Sequence, residues 1–284
     1  MTAGREAAGR APAPAEVPPP EPLPAEALDS HCHLEMIERP DTAGVLAAAR
    51  AAGITRVVTI GTDLASSRWA AECARRHDGV YAAVAVHPNE TVAAASTPEQ
   101  RIEVLAQIAE LARLERVRAI GETGLDYYRE YASPVVQRDW FRAHISIAKQ
   151  AGKALVIHDR DAHEDVLDIL EAEGPPEKVI FHCFSGDAAM AKHCAEAGYV
   201  MSFAGNITFK NAGALRDAAA AAPVELLLVE TDAPFLTPVP YRGRPNSPAL
   251  AAYTVRALAV LKQVGVADLC AQLTATGERM FGPW

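Results

Sequence analysis

The sequence predicts a single (β/α)8 barrel, the TIM-barrel architecture, on three observations. Eight short apolar runs, several rich in Val and Ile, alternate with amphipathic stretches, the pattern of a parallel sheet covered by helices. Eight such units fill most of a 284-residue chain, matching the ~250 residues of one closed barrel. The turn after the first run reads Asp29-Ser30-His31-Cys32-His33, where an open dinucleotide-binding sheet would carry glycines.

Taken in order, residues 1–26 come first, rich in Pro and Ala and without apolar periodicity. They are expected to form a disordered tail ahead of one barrel domain spanning 27–284. The tail lacks the apolar stretch of a secretory signal, and nothing downstream is long enough to cross a membrane. The five cysteines are scattered without a CxxC pair, which fits a reducing, cytoplasmic setting. Strands are expected over 27–31, 54–61, 80–87, 117–121, 154–158, 178–182, 199–203 and 226–230. Between them, Ile102, Leu105, Ala109 and Ala112 recur at helical steps, as do Phe141, Ile145 and Ala148, then Val166, Ile169 and Leu170.

The strand ends carry the chemistry. In an extended chain residues two apart share a face, so His31 and His33 can grip one ion together. Glu122 stands between Gly121 and Thr123 at the end of an apolar run, where a buried carboxylate must be paired or ligate a metal. His158 ends Ala-Leu-Val-Ile-His, His182 ends Val-Ile-Phe-His, and Asp232 follows the eighth run. Taken singly, each histidine also fits a satisfied core residue and each acid a helix cap. On a barrel the six converge at one mouth. Four imidazoles and two carboxylates can hold two divalent ions, and Zn²⁺, Mn²⁺ and Mg²⁺ all suit mixed N/O donors.

The motifs DSHCHL, GETGLDYYRE, ALVIHDRDA, VIFHCFSG and LLVETDAPFLTPVPYRGRPN, in this order, resemble the TatD family of metal-dependent deoxyribonucleases, a branch of the amidohydrolase superfamily. The likeness runs from Leu28 to Gly282. It implies a nuclease acting on DNA, with His31, His33 and Asp232 on one ion, His158 and His182 on the other, and Glu122 bridging. It also makes Glu122 and Asp232 the catalytic pair, Asp232 taking the proton of the attacking water. The family often shows His-Pro-His on the third strand, where this chain has His87-Pro88-Asn89. His87 is therefore expected to touch substrate or support the site.

On the substrate side, Arg242, Arg244 and Asn246 lie in the loop after the eighth strand, a region where barrels often bind phosphate. Arg129 and Arg160 are further phosphate candidates, and Tyr127, Tyr128 and Phe184 could stack bases. Ser202 is expected to position rather than attack, and His77, His144, His163 and His193 to be surface or capping residues. A net charge of −9 offers no general field for nucleic acid. Local arginines and bound metal would have to draw a DNA substrate, expected to be single-stranded or frayed and cut from an end. No obligate protein partner is evident. The same barrel and metals would also serve a hydrolase of small esters, lactones or amides. Many of those barrels bridge their ions with a carboxylated lysine, and here the corresponding position is Glu122.

Overall fold

The computed structural model describes residues 17–38, 40–129 and 131–284. Eight strands follow one another around a single sheet in chain order. They are β1 (Ala27–Cys32), β2 (Ile54–Ile60), β3 (Val80–Val84), β4 (Val117–Asp126), β5 (Ala154–Arg160), β6 (Val179–Phe181), β7 (Val200–Phe203) and β8 (Leu227–Val229). Every neighbouring pair is parallel, from Ala27 beside Ile54 to Phe203 beside Val229. The barrel is the one the alternating pattern predicts.

Helices cover the outside, among them Leu64–Arg76, Pro134–Ala151 and His163–Glu173. Several begin on side-chain caps: Asp41, Asp63, Thr97, Ser133 and Asp187 each accept a hydrogen bond from a first-turn N–H. Phe141, Ile145 and Ala148, like Val166, Ile169 and Leu170, turn inward and are buried. Inside the barrel wall Val58, Ile120, Leu155, Phe181, Met201 and Leu228 are almost fully enclosed, each worth roughly 1.5–3 kcal/mol of transfer free energy.

The seam between β8 and β1 closes just past the end of β8. The Asp232 N–H donates to the His31 carbonyl at 2.9 Å, and the His33 N–H to the Ala233 carbonyl at 2.8 Å. Asp29, wholly buried, ties the same seam: its carboxylate accepts from the Thr231 N–H (2.9 Å) and hydroxyl (2.5 Å). Burial pushes this carboxyl up to about 8, against those hydrogen bonds.

Some elements differ from expectation for local reasons. Strand β4 runs five residues further than predicted because two glycines let it approach β5. A Cβ on Gly121 would lie 2.5 Å from that of Val156, and one on Gly124 (φ +137°) would lie 2.1 Å from the His158 carbonyl oxygen. The ladder therefore continues to Asp126 beside Arg160. Strand β3 stops at Val84, where the Ser67 hydroxyl takes up both the N–H and the carbonyl of Ala85. The helix Pro98–Leu111 buries Ile108 and leaves Ile102 66% exposed.

His144 is not a surface residue. It is buried, with Nε2 accepting from the Val86 N–H (3.2 Å) and Nδ1 3.0 Å from the Thr123 hydroxyl. The helix Pro134–Ala151 turns it inward on the same face as Trp140 and Phe141. Of the segment expected as a tail, residues 1–16 lie outside the described residues. Residues 17–26 have no helix or strand, but Pro20 and Leu23 are buried, and the Leu23 N–H donates to the Ala52 carbonyl at 3.0 Å. The packed chain thus begins before Ala27. All five cysteines are free thiols. Among the described residues no single helix is long and apolar enough to cross a membrane.

Candidate metal centre

At the C-terminal mouth of the barrel a cavity of about 510 Å³ is floored by His33, His87, Glu122, His158, His182 and Asp232. Glu122 is its hub. Its Oε2 lies 2.8 Å from His182 Nε2, 3.5 Å from His31 Nε2 and 3.6 Å from His158 Nδ1. Its Oε1 lies 3.7 Å from His87 Nε2 and 3.8 Å from His33 Nε2. The Asp232 carboxylate stands on the far side, with Oδ1 3.5 Å from His33 Nε2 and 3.8 Å from His31 Nε2. Asp232 itself is held at φ 53°, a left-handed conformation that non-glycine residues adopt mainly where surrounding structure enforces it. All six residues expected to ligate metal are brought together.

Three of the imidazoles have their outer nitrogen tethered, which leaves the inner one bare in the neutral ring. The His33 Nδ1–H donates to the Ile60 carbonyl (3.3 Å) and the His182 Nδ1–H to Glu230 Oε1 (3.1 Å). The His158 Nε2–H donates to Asp126 Oδ2 (3.1 Å). Such tethers fix tautomer and ring orientation in metal-binding histidines. His31, stacked on His182 at 3.8 Å, is fully buried with neither ring nitrogen partnered. An orphaned imidazole among inward-facing ring nitrogens and carboxylates fits a divalent cation. Among the described residues, three triads have donor atoms within 4.8 Å of one another: His31, His33 and Glu122; His31, His182 and Asp232; His87, Glu122 and His158. Every one includes His31 or Glu122.

The electrostatics agree. Burial drives the His31 imidazole well below its usual range, and the neighbouring His182 adds to this. Burial would raise Glu122, but His182 and His87 hold its carboxyl well below the usual carboxylate range. Burial also opposes charge on His182, yet the Glu230 and Glu122 carboxylates raise it well above a normal histidine. This is a buried anion surrounded by rings competing for protons.

His87 differs from the rest. Its Nδ1 accepts the Asn89 N–H at 3.0 Å, so the neutral ring carries its hydrogen on Nε2 and faces the cavity as a donor. Burial lowers this ring to about 3, which keeps it neutral. Asn89, standing where the family often has a second histidine, donates to Asp126 Oδ2 at 3.0 Å. It supports the acid that tethers His158.

The expected phosphate loop does not reach the cavity. The Arg242 guanidinium rests 4.2 Å over the Phe209 ring, and neither it nor Arg244 lines the pocket. Asn246 is buried, donating to the carbonyls of Thr231 (3.0 Å) and Phe235. The chain turning back after β8 leaves those carbonyls without strand partners, and this amide satisfies them. Of the expected stacking residues, Phe184 is core, packed on Phe181 and Phe203, and the Tyr127 hydroxyl donates to Asp165. Tyr128 is 62% exposed. Ser202 is buried with its hydroxyl 2.8 Å from that of Ser30.

Two residues the sequence reasoning passed over are the tethers Asp126 and Glu230. Each lies an even number of residues from a candidate ligand, Glu122 or Asp232, and that spacing was the available signal.

The family model for TatD-related DNases matches residues 28–282. An uncharacterized metal-dependent hydrolase named TatD from Mycobacterium tuberculosis is 46% identical over 263 residues, which is 90% of this chain and 97% of that protein. YcfH of Escherichia coli K12, also an uncharacterized metal-dependent hydrolase, is 37% identical over 259 residues, 89% of this chain and 95% of that one. The crystal structure of YjjV, a TatD homolog from E. coli K12, superposes with a TM-score of 0.84 at 25% identity, covering 91% of this chain and 98% of that one.

Proposed function

The chain belongs to the TatD family of metal-dependent hydrolases, and we propose from that premise and from its site that it hydrolyses phosphodiester bonds of DNA from a strand end. The observation that carries this reading is the set of tethered imidazoles aimed at one buried carboxylate beneath an open mouth. His31, His33, Glu122, His158, His182 and Asp232 would hold two divalent ions (Mg²⁺, Mn²⁺ or Zn²⁺), with Glu122 between them. When bound, the ions supply Lewis acidity toward a phosphoryl oxygen and acidify water.

The chain's own groups do the rest. Asp232, half-buried at the cavity floor, accepts the proton of the attacking water. The Nε2–H of His87 is placed to donate to an oxygen of the substrate phosphate. A cavity of about 510 Å³ is of the size that takes a single small ligand group such as a terminal nucleotide. Phe235, on its rim and 51% exposed, offers a face for a terminal base.

The test is hydrolysis of end-labelled single-stranded DNA by EDTA-stripped protein resupplied with Mg²⁺, Mn²⁺ or Zn²⁺. Metal-dependent shortening that Glu122→Ala abolishes is the expected result. Protein that binds two ions yet leaves DNA intact with every metal overturns the reading.

A further inference from the structure

Two arginines, Arg129 and Arg160, line the cavity, and among the described residues neither is paired with a carboxylate. Arg160 ends β5 and shares a strand face with His158, two residues before it, so its Cα lies roughly 6.6 Å further toward the mouth. It lines the cavity together with the carboxylates of Glu122, Asp126, Asp159 and Asp232. Among the described residues, the Arg160 side chain nevertheless makes no hydrogen bond or ion pair. Its guanidinium carbon lies over the Tyr128 ring, 3.8 Å from the centroid. Stacked in this way, it keeps its N–H edge unspent, and that fork matches a phosphate oxygen pair.

The platform beneath it is anchored. The Tyr128 N–H donates to Asp126 Oδ1 at 3.1 Å, and the Arg129 N–H to the same oxygen at 2.9 Å. The other Asp126 oxygen accepts from His158 and Asn89. One carboxylate therefore holds both an imidazole of the metal centre and the backbone of the residue on which Arg160 lies. Arg129, by contrast, is exposed and directs its guanidinium to the Tyr131 hydroxyl at 3.3 Å.

We propose that Arg160, stacked on Tyr128, is the phosphate subsite of this enzyme, holding a backbone phosphate next to the one being cut. The proposal rests on the reading that the substrate is a DNA strand. It moves the anion handle from the Arg242–Arg244 loop to the wall of the cavity. Arg160 contributes binding at a non-reacting group, so its loss acts on KM more than on kcat.

The experiment measures steady-state cleavage of an end-labelled single-stranded oligonucleotide by the Mn²⁺-loaded enzyme across a KCl series, for wild type, Arg160→Gln and Arg160→Lys. Metal content and melting temperature are measured on each. For Arg160→Gln the expected result is a KM raised about tenfold with kcat within about twofold. The slope of log KM against log[KCl] should fall by about 0.7, the loss of one single-strand phosphate contact. Arg160→Lys keeps the charge and should keep the wild-type slope, with a weaker KM. A cutting enzyme whose slope is the same in Arg160→Gln overturns the subsite alone, as does a slope lost equally in Arg160→Lys. Wild type that neither cuts nor binds DNA overturns the nuclease reading and the subsite with it.

Discussion

Replacing Glu230 by Gln changes one oxygen into an amide nitrogen inside a fully buried pocket and leaves the shape intact. Glu230 Oε1 accepts two hydrogen bonds, from His182 Nδ1–H at 3.1 Å and from the Cys183 N–H at 2.8 Å. The side chain is wholly buried, so no water can replace it. A hydrogen bond to a carboxylate is about twice as strong as one to a neutral amide. The charge also makes the His182 ring more basic at the nitrogen that faces Glu122. Removing such a supporting carboxylate typically weakens metal affinity 10–100-fold, which is about 1.4–2.7 kcal/mol. Because both donors rest on one desolvated oxygen, the upper half of that range is expected. Titration calorimetry of Mn²⁺ into EDTA-stripped protein would show it, with the urea midpoint of the metal-free variant as the folding control. Mn²⁺ affinity within twofold of wild type, in a folded variant, would refute the reasoning. His182 would then be oriented chiefly by its stack on His31.

Two further outcomes follow from the fold. Gly124→Ala combines a positive φ of +137° with a Cβ 2.1 Å from a carbonyl oxygen. Strain and overpacking together should cost about 3–5 kcal/mol in urea denaturation, and an unchanged midpoint would mean the strand path is misread. His144 is held neutral by burial, its ring lowered to about 4. The unfolded chain takes up this proton below about 6.5 and the folded chain only near 4, so stability is full above 6.5 and falls as pH drops toward 4. The loss approaches about 3 kcal/mol. In excess EDTA, the stability difference between wild type and His144→Gln should therefore shrink between pH 6.5 and 4, and a constant difference would refute this assignment.

The parts of this molecule that were legible in the sequence are those governed by a period. Alternating apolar runs located all eight strands, and the two-residue spacing brought His31 in β1 and His33 just past its end to the same carboxylate, Glu122. Tethers and loops obey no such rule. That Asp126 would hold His158 depended on β4 passing through Gly121 and Gly124 close enough to β5 to bring Asp126 beside Arg160. The same register placed Tyr128 where Arg160 could lie on it. In the loop after β8, Asn246 read as a substrate contact because an amide near two arginines suggests phosphate. Its donors instead close the turn on Thr231 and Phe235. His144 was misplaced for a related reason: a helix face is apolar on average, and a single buried polar residue is invisible until its partners, Val86 and Thr123, are known.

The seam shows why the fold and the site are hard to separate. The backbone bonds that join the ends of β8 and β1 run from Asp232 to His31 and from His33 to Ala233, so three candidate ligands take part in closing the barrel. Asp29 strengthens the same junction through Thr231, one residue before Asp232, and accepts from the His31 N–H at 3.2 Å. Neither His31 nor Asp232 can shift without opening the seam, and the seam cannot open without separating them. A divalent ion between these residues would therefore staple the last strand to the first. By linkage it would stabilise the closed barrel in proportion to its affinity, whereas a ligand bound on a mobile loop would stabilise only that loop. The rigidity that a catalytic centre requires is here supplied by the topology that completes the barrel.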